Sequence, residues 1–99
     1  MLAELAIEHG DGVIIEEKTL CDVFGLSWLE AGFLKSLLAY SVAGPDEFPP
    51  INYSPRQHIY LLRKKLGPYQ VMINTYGKQH YGIPKSDKER IAKLLGSSL

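Results

Sequence analysis

The chain has 99 residues, 45% of them hydrophobic, and its 11 basic and 11 acidic residues give a net charge of zero. This is the size of one domain, which can bury roughly 65% of its unfolded surface without disulfide or metal support. One cysteine excludes an internal disulfide, and no apolar run reaches the roughly 18 residues of a membrane span, so we expect a soluble cytoplasmic protein with no membrane partner.

The charges are unevenly distributed along the chain. Residues 1–53 carry nine carboxylates against two lysines, for a charge of −7, whereas residues 54–85 carry six basic side chains and no Asp or Glu. Residues 86–99 add a charge of +1. A clustered basic stretch is typical of a nucleic-acid interface even when the overall charge is neutral. We therefore expect any nucleic-acid contact to come from residues 54–85.

The first 25 residues are predicted to form a small antiparallel sheet. Residues 3–9 alternate loosely between apolar and polar, residues 10–12 have the composition of a turn, and residues 13–15 are a β-branched run. Together they predict a hairpin. A further short strand is predicted over Thr19–Phe24, ended by Gly25.

A helix is predicted over residues 27–42. Ser27 and Glu30 have the spacing of a capping box, in which each side chain accepts a hydrogen bond from the backbone amide of the other residue. Trp28 and Phe33 are interpreted as residues of the core or its edge rather than as a platform for stacking bases. The residues expected to be buried on this helix are Trp28, Ala31, Leu34, Leu37 and Leu38.

Residues 43–53 are predicted to lack a stable helix. Pro45, Pro49 and Pro50 each remove a backbone donor, and together they leave no room for one. We expect an irregular loop here, or a single turn around residues 46–48.

A second helix is predicted over residues 54–67. Ser54 can cap its N-terminus, Pro55 suits its first turn, and Gly67 followed by Pro68 ends it. Helical spacing places Ile59, Leu62 and Leu66 on one stripe that must be buried. The opposite arc carries Gln57, Tyr60, Leu61 and Lys64, flanked by Arg56 and Arg63 on one side and His58 and Lys65 on the other, so the outer face is mainly cationic and hydrogen-bonding.

A β-hairpin is predicted over residues 69–83. Residues 69–75 alternate and are rich in β-branched side chains, residues 76–79 form a turn, and residues 80–83 return as a strand ended by Pro84. A basic helix followed directly by a hairpin with a cationic tip is the layout of a winged helix.

A last helix is predicted over residues 86–96. Ser86 and Glu89 have the spacing of a second capping box, and Ile91, Leu94 and Leu95 form a narrow apolar stripe. This stripe either packs back on the domain or pairs with another subunit, which would give a homodimer through Ile91, Leu94 and Leu95.

The basic helix and the hairpin resemble the winged-helix effector domain of OmpR/PhoB-type response regulators. The recognition helix of that family typically reads H-I-x-x-L-R-x-x-L-G, and its wing typically reads I-x-T-V-x-G-x-G-Y. The matching residues of the helix are His58, Ile59, Leu62, Arg63, Leu66 and Gly67, with Lys64 and Lys65 at the usual basic positions. In the wing, Ile73, Thr75 and Tyr81 keep register, while Lys78 and His80 replace glycines.

The resemblance implies an α+β fold in one domain over residues 1–99. That fold is a winged helix with an N-terminal antiparallel sheet, helices, a C-terminal β-hairpin wing and an extra C-terminal helix. It also implies sequence-specific binding of double-stranded DNA, with the helix in the major groove and the wing on the backbone or in the minor groove. Since the chain carries no receiver domain, we expect a small standalone transcriptional regulator, with RNA polymerase or another regulator as a further candidate partner.

The predicted DNA-binding residues lie on the basic helix and at the hairpin tip. Arg63 and Lys65 are predicted to contact phosphates, and Gln57, Tyr60 and Lys64 to face the bases. The full predicted set is Arg56, Gln57, His58, Tyr60, Arg63, Lys64, Lys65, Lys78, Gln79 and His80.

Two alternatives to DNA binding are open at this point. The cationic face is an ordinary solvated surface, or the winged helix is a protein–protein interaction module that docks an acidic partner. The sequence has no metal-ligand spacing, no glycine-rich phosphate loop and no nucleophile with a neighbouring base, so we expect no enzyme activity, cofactor or metal.

Overall fold

The structure, a computed structural model, describes residues 16–52 and 54–98, and within them the fold is α+β with four helices and a small antiparallel sheet. The elements in chain order are α1 (Glu17–Phe24), α2 (Trp28–Ala39), α3 (Arg56–Leu66), a 3-10 turn (Gly67–Tyr69), β1 (Asn74–Thr75), β2 (Tyr81–Gly82) and α4 (Lys85–Ser98). The hairpin predicted for residues 3–15 lies outside the described residues. None of the described helices is long and apolar enough to cross a membrane.

Helix α1 occupies the segment for which a strand is predicted, so that prediction is wrong. Leu20 and Phe24 are four residues apart, which places both on one helical face, and both are buried in the core. Gly25 follows in the left-handed conformation with φ 67°, and its N–H donates to the carbonyl of Cys21 at 2.9 Å. The glycine that suggested the end of a strand is therefore the C-cap of a helix.

Helix α2 begins at the predicted residue and ends at Ala39, three residues before the predicted Val42. The predicted capping box is present: the Ser27 N–H donates to Glu30 Oε1 at 2.9 Å, and the Glu30 N–H donates to Ser27 Oγ at 3.2 Å. Leucines 34, 37 and 38 are buried as predicted, and so is Phe33.

Trp28 is exposed, and its predicted burial is wrong. Its side chain keeps 66% of its accessible surface. Helical side chains lean towards the N-terminus, so a residue at the first helical position extends past the part of the helix that packs against its neighbours.

The segment between α2 and α3 contains no helix among its described residues, 40–52 and 54–55, as the prolines predict. It forms a turn at residues 45–47, with the Glu47 N–H donating to the Gly44 carbonyl at 3.0 Å. Ala43 pairs with Tyr81 through two backbone hydrogen bonds of 2.7 and 2.9 Å. This segment therefore lies along the free side of β2.

The hairpin consists of β1, β2 and the turn between them, and it is shorter than predicted. Asn74 pairs with Gly82 and Thr75 with Tyr81 in antiparallel register. The strand predicted from residue 69 starts only at residue 74 because the chain leaves α3 through the 3-10 turn. A Cβ on Gly82 would lie 2.5 Å from the Ser41 carbonyl oxygen, so only glycine permits this approach of the neighbouring segment.

Helix α4 packs back on the domain. It begins at Lys85, so Ser86 is not its N-cap and the predicted second capping box is wrong; instead the Pro84 carbonyl accepts from the amides of residues 87 and 88, each at 3.0 Å. Ile91 and Leu95 are buried in the core that α1, α2 and α3 share, and Leu94 is partly buried against it. The apolar stripe that suggested a homodimer seam is thus used within the chain. The helix also continues past the predicted end at Gly96.

Candidate nucleic-acid interface

Helix α3 presents the two faces that its sequence predicts. Ile59, Leu62 and Leu66 are buried in the core, and the opposite arc lies in solvent. Tyr60 is 59% exposed, and the ammonium group of Lys64 lies 5.5 Å from the centre of its ring. The exposed residues of this arc and its flanks are Arg56, Gln57, Tyr60, Leu61, Arg63 and Lys64.

Arg63 connects α3 to the hairpin. Its Nε and Nη2 atoms donate to the carbonyl of Ile73 at 3.1 and 2.7 Å, and Nη2 also donates to Thr75 Oγ1 at 2.9 Å. The guanidinium lies 5.8 Å from the centre of the Tyr81 ring. These contacts occupy two of its three nitrogens, so Arg63 fixes the hairpin against the helix, and its predicted phosphate contact stays a prediction.

Lys65 connects α3 to the start of α2. Its ammonium group lies 2.7 Å from Glu30 Oε1, and Glu30 is only 4% exposed. Burial alone would raise the pKa of Glu30, but the hydrogen bonds from Lys65 and from the Ser27 amide outweigh it and hold that pKa below the ordinary value of 4.5. Lys65 is thus the counter-ion of a buried carboxylate, and its predicted phosphate contact stays a prediction.

His58 lies at the edge of the core, as the helix spacing predicts. Its ring centre is 4.9 Å from that of Phe33, which in turn stacks on Phe48 at 4.8 Å. This position is between α3 and the first half of the chain rather than on the exposed arc. His58 therefore positions the helix, and the structure does not bring its ring to the exposed face with Gln57 and Lys64.

The hairpin tip combines a cation with an unusual backbone. The Tyr76 N–H donates to the His80 carbonyl at 2.8 Å, and the His80 N–H donates to the Gly77 carbonyl at 3.2 Å. Gly77 and Gln79 have φ values of 125° and 61°, and Lys78 between them is exposed. His80 Nδ1 lies 2.7 Å from the Lys78 carbonyl oxygen.

The exposed arc of α3 and the hairpin tip face each other across a groove of about 950 Å³. Three of its lining side chains are cationic and none is a carboxylate. The lining residues are Ser54, Arg56, Gln57, Ile59, Tyr60, Arg63, Thr75, Gly77, Lys78, Gln79 and Tyr81. The groove thus brings together six of the ten predicted site residues, while Lys64 lies on the exposed arc of α3 without being among the lining residues.

Sequence reasoning missed Ser54 and Thr75 as residues of this groove. Ser54 is predicted as the N-cap of α3, but that prediction is wrong, because α3 begins at Arg56 and Pro55 holds the N-cap position; the Ser54 hydroxyl accepts from the Arg56 N–H at 3.3 Å. The sequence pattern predicts Thr75 only as a strand residue of the wing. The register of the hairpin, which places Thr75 opposite Tyr81 and beside Arg63, is the signal that a sequence alone does not carry.

The described residues contain no candidate metal site. Within residues 16–52 and 54–98 no group of three or more His, Cys, Asp or Glu side chains is placed to hold an ion. The groove offers hydrogen-bond donors, cations and one exposed aromatic ring, which suits the binding of an anionic polymer.

Comparison with protein-family models, with curated proteins and with solved structures finds no match to this chain.

Proposed function

We propose that this domain is a winged helix that binds double-stranded DNA through α3 and the hairpin tip. The observation that carries the proposal is the groove between them, which is lined by Arg56, Arg63 and Lys78 and by no carboxylate. The order of two helices, a short paired segment, α3 and a hairpin agrees with that fold. The resemblance of α3 to the recognition helix of OmpR/PhoB-type regulators supports the same function.

The structure changes which residues we propose for each kind of contact. Lys65 is paired with Glu30 and Arg63 is largely occupied by the hairpin, so Arg56, Lys64 and Lys78 are the exposed cations for DNA. Gln57 and Tyr60 lie on the same exposed arc and remain the candidates for base edges in the major groove. A small transcriptional regulator in the cytoplasm is the role that such binding serves.

The proposal is tested by titrating the protein with random-sequence duplex DNA at several salt concentrations. Three phosphate contacts predict a slope of log affinity against log salt of about −2.7. Replacing Lys64 or Lys78 by Gln should make that slope shallower by about 1 in each case. Lys93→Gln is the matched control, because Lys93 is an exposed lysine on α4 and not one of the groove residues. No binding at low salt, or equal effects of all three substitutions, would overturn the proposal.

A protein–protein interaction module is the second candidate. Tyr60 and Leu61 are adjacent and exposed on α3, Tyr60 also lines the groove, and an exposed aromatic side chain at a groove favours a protein partner. This candidate predicts that an acidic peptide binds the groove where duplex DNA does not. It also predicts that Tyr60→Ala weakens the peptide complex more than Lys78→Gln does, whereas DNA binding predicts comparable or larger losses at Lys78.

A further inference from the structure

We infer that Gln79 is a specificity-determining residue, which reads base edges in the minor groove through its side-chain amide. This inference rests on the proposed DNA-binding function and deepens it. It assigns to the hairpin tip a role in sequence preference, in addition to the electrostatic attraction that Lys78 supplies.

The backbone of Gln79 is the first reason. Only two non-glycine residues in the described chain have a positive φ, Gln70 at 63° and Gln79 at 61°. Gln70 ends the 3-10 turn, where a left-handed residue is the usual cap, and its carbonyl accepts from Arg90 Nη1 at 2.8 Å. Gln79 instead lies in the turn closed by the His80 N–H and the Gly77 carbonyl, at a position where a positive φ normally selects Gly or Asn. Glutamine is unfavourable for the backbone there, which makes Gln79 a candidate for a functional role of the side chain.

The surroundings of the side chain are the second reason. Gln79 is half-buried and lines both the groove beside α3 and a hollow of about 290 Å³ under the proline-rich segment that precedes α3. No hydrogen bond joins its amide to another residue of the described chain, so folding does not explain it. Gln79 thus lies at the junction of two cavities, and its amide has no hydrogen-bond partner among the described residues.

The chemistry of an amide separates its role from that of its neighbour. The ammonium group of Lys78 only donates and suits phosphate oxygens, which only accept. The amide of Gln79 both donates and accepts, so it can pair with the acceptors that an A·T pair shows in the minor groove and respond to the guanine amino group of a G·C pair. Lys78 therefore positions the tip on the backbone, and Gln79 distinguishes the bases beneath it.

The experiment selects preferred sites from a duplex library with a randomised centre, using the whole chain and three variants. Gln79→Ala keeps the unfavourable backbone conformation and removes the amide, whereas Gln79→Gly removes both. Gln70→Gly is the matched control, because it relieves the same conformation away from the groove. We expect the melting temperature of both glycine variants to be unchanged or raised, which shows that the variants fold.

Both Gln79 variants should lose the preference at one or two base positions, by roughly 5- to 150-fold, while keeping the salt slope on random duplex. Gln70→Gly should keep the complete preference. A Gln79 variant that retains the wild-type site profile overturns the inference, and so does a wild-type protein that binds duplex without any sequence preference. A wild-type protein that binds no duplex at all overturns the proposed function itself.

Discussion

Lys64 and Lys65 are adjacent cations on α3, and we expect their replacement by Ala to have opposite consequences. The ammonium group of Lys65 lies 2.7 Å from the carboxylate of Glu30, which is buried at 4% exposure. Lys65→Ala therefore leaves a buried charge without its counter-ion, and the Ser27 amide still donates to it at 2.9 Å. Lys64 is exposed, and its contact is with the ring of Tyr60.

The loss of unfolding free energy in Lys65→Ala depends on how far water reaches the ion pair of Lys65 and Glu30. Removing one partner of a fully buried ion pair costs about 3–5 kcal/mol, and removing one partner of an exposed pair costs less than about 1 kcal/mol. The Lys65 side chain is 37% exposed, so water screens the pair from one side. We expect Lys65→Ala to lower the free energy of unfolding by about 1–3 kcal/mol, and each kcal/mol lowers the melting temperature by about 4–8 °C in a domain of this size. For Lys64→Ala we expect a change within about 0.5 kcal/mol.

Urea unfolding followed by circular dichroism measures the free energy of unfolding of each variant, and titration with random duplex DNA measures its binding. Lys64→Ala should make the salt slope shallower by about 1, and Lys65→Ala should leave it unchanged. A double-mutant cycle with Glu30→Gln isolates the energy of the pair. If Lys65→Ala is as stable as Lys64→Ala, or if it changes the salt slope as much, the assignment of Lys65 to the interior is refuted.

Acid should destabilise the fold through Glu30, because the pKa of this residue in the folded state lies below its ordinary value of 4.5. The contribution of Glu30 to stability is therefore complete above pH 4.5, and it is lost as the pH falls through the folded-state pKa. Glu30→Gln should flatten the acid limb of a plot of unfolding free energy against pH, and an unchanged limb would contradict the ion pair. Deleting residues 86–99 should abolish cooperative thermal unfolding, because Ile91 is fully buried in the shared core. If the truncated chain instead stays folded and sedimentation gives it half the mass of the full-length protein, the homodimer seam is supported. Trp28, the only tryptophan, should show the emission of a solvated indole and be readily quenched by acrylamide, and Trp28→Ser should change stability by less than about 0.5 kcal/mol. A blue-shifted, protected emission would show that its side chain is covered.

The features that the sequence predicts correctly depend on residues that are close together in the chain. The capping box of Ser27 and Glu30 needs only four consecutive residues, and the buried stripe of α3 needs only helical spacing. The prolines before α3 exclude a helix by removing donors, whatever the rest of the chain does. These features depend on neighbours in sequence, so they can be predicted without the fold.

The wrong predictions concern residues whose conformation or burial depends on tertiary packing. Thr19–Phe24 is too short for its alternation to distinguish a strand from a helix, and the burial of Leu20 and Phe24 together settles it as helix. Ser86 has the right spacing for a cap, yet the Pro84 carbonyl starts α4 earlier. Trp28 is large and apolar, but its place at the first helical position carries it beyond the core.

The candidate site shows the same limit for charged residues. A helical projection places Arg63 and Lys65 beside the exposed arc, and both had the residue type expected of phosphate contacts. Arg63 finds its partners 10 and 12 residues further along the chain, and Lys65 finds Glu30 35 residues earlier. Such partners depend on the tertiary fold, so composition predicts the charge of the face and not which cations are free to use it.

The short separation between Arg63 and its partners also bears on the order in which the domain forms. Closing a loop of about ten residues costs little chain entropy, and contacts of this kind form early in folding. By contrast, the hydrogen bonds from the Lys88 ammonium group to the carbonyls of Leu38 and Tyr40 span 50 and 48 residues. We therefore expect α3 and the hairpin to gain protection from amide exchange in the first phase of refolding, with α4 docking against the end of α2 in a later phase. Pulse labelling that shows α4 protected before the hairpin would reverse this order. If α3 and the hairpin form first, this cationic part of the chain is the unit on which α1, α2 and α4 assemble.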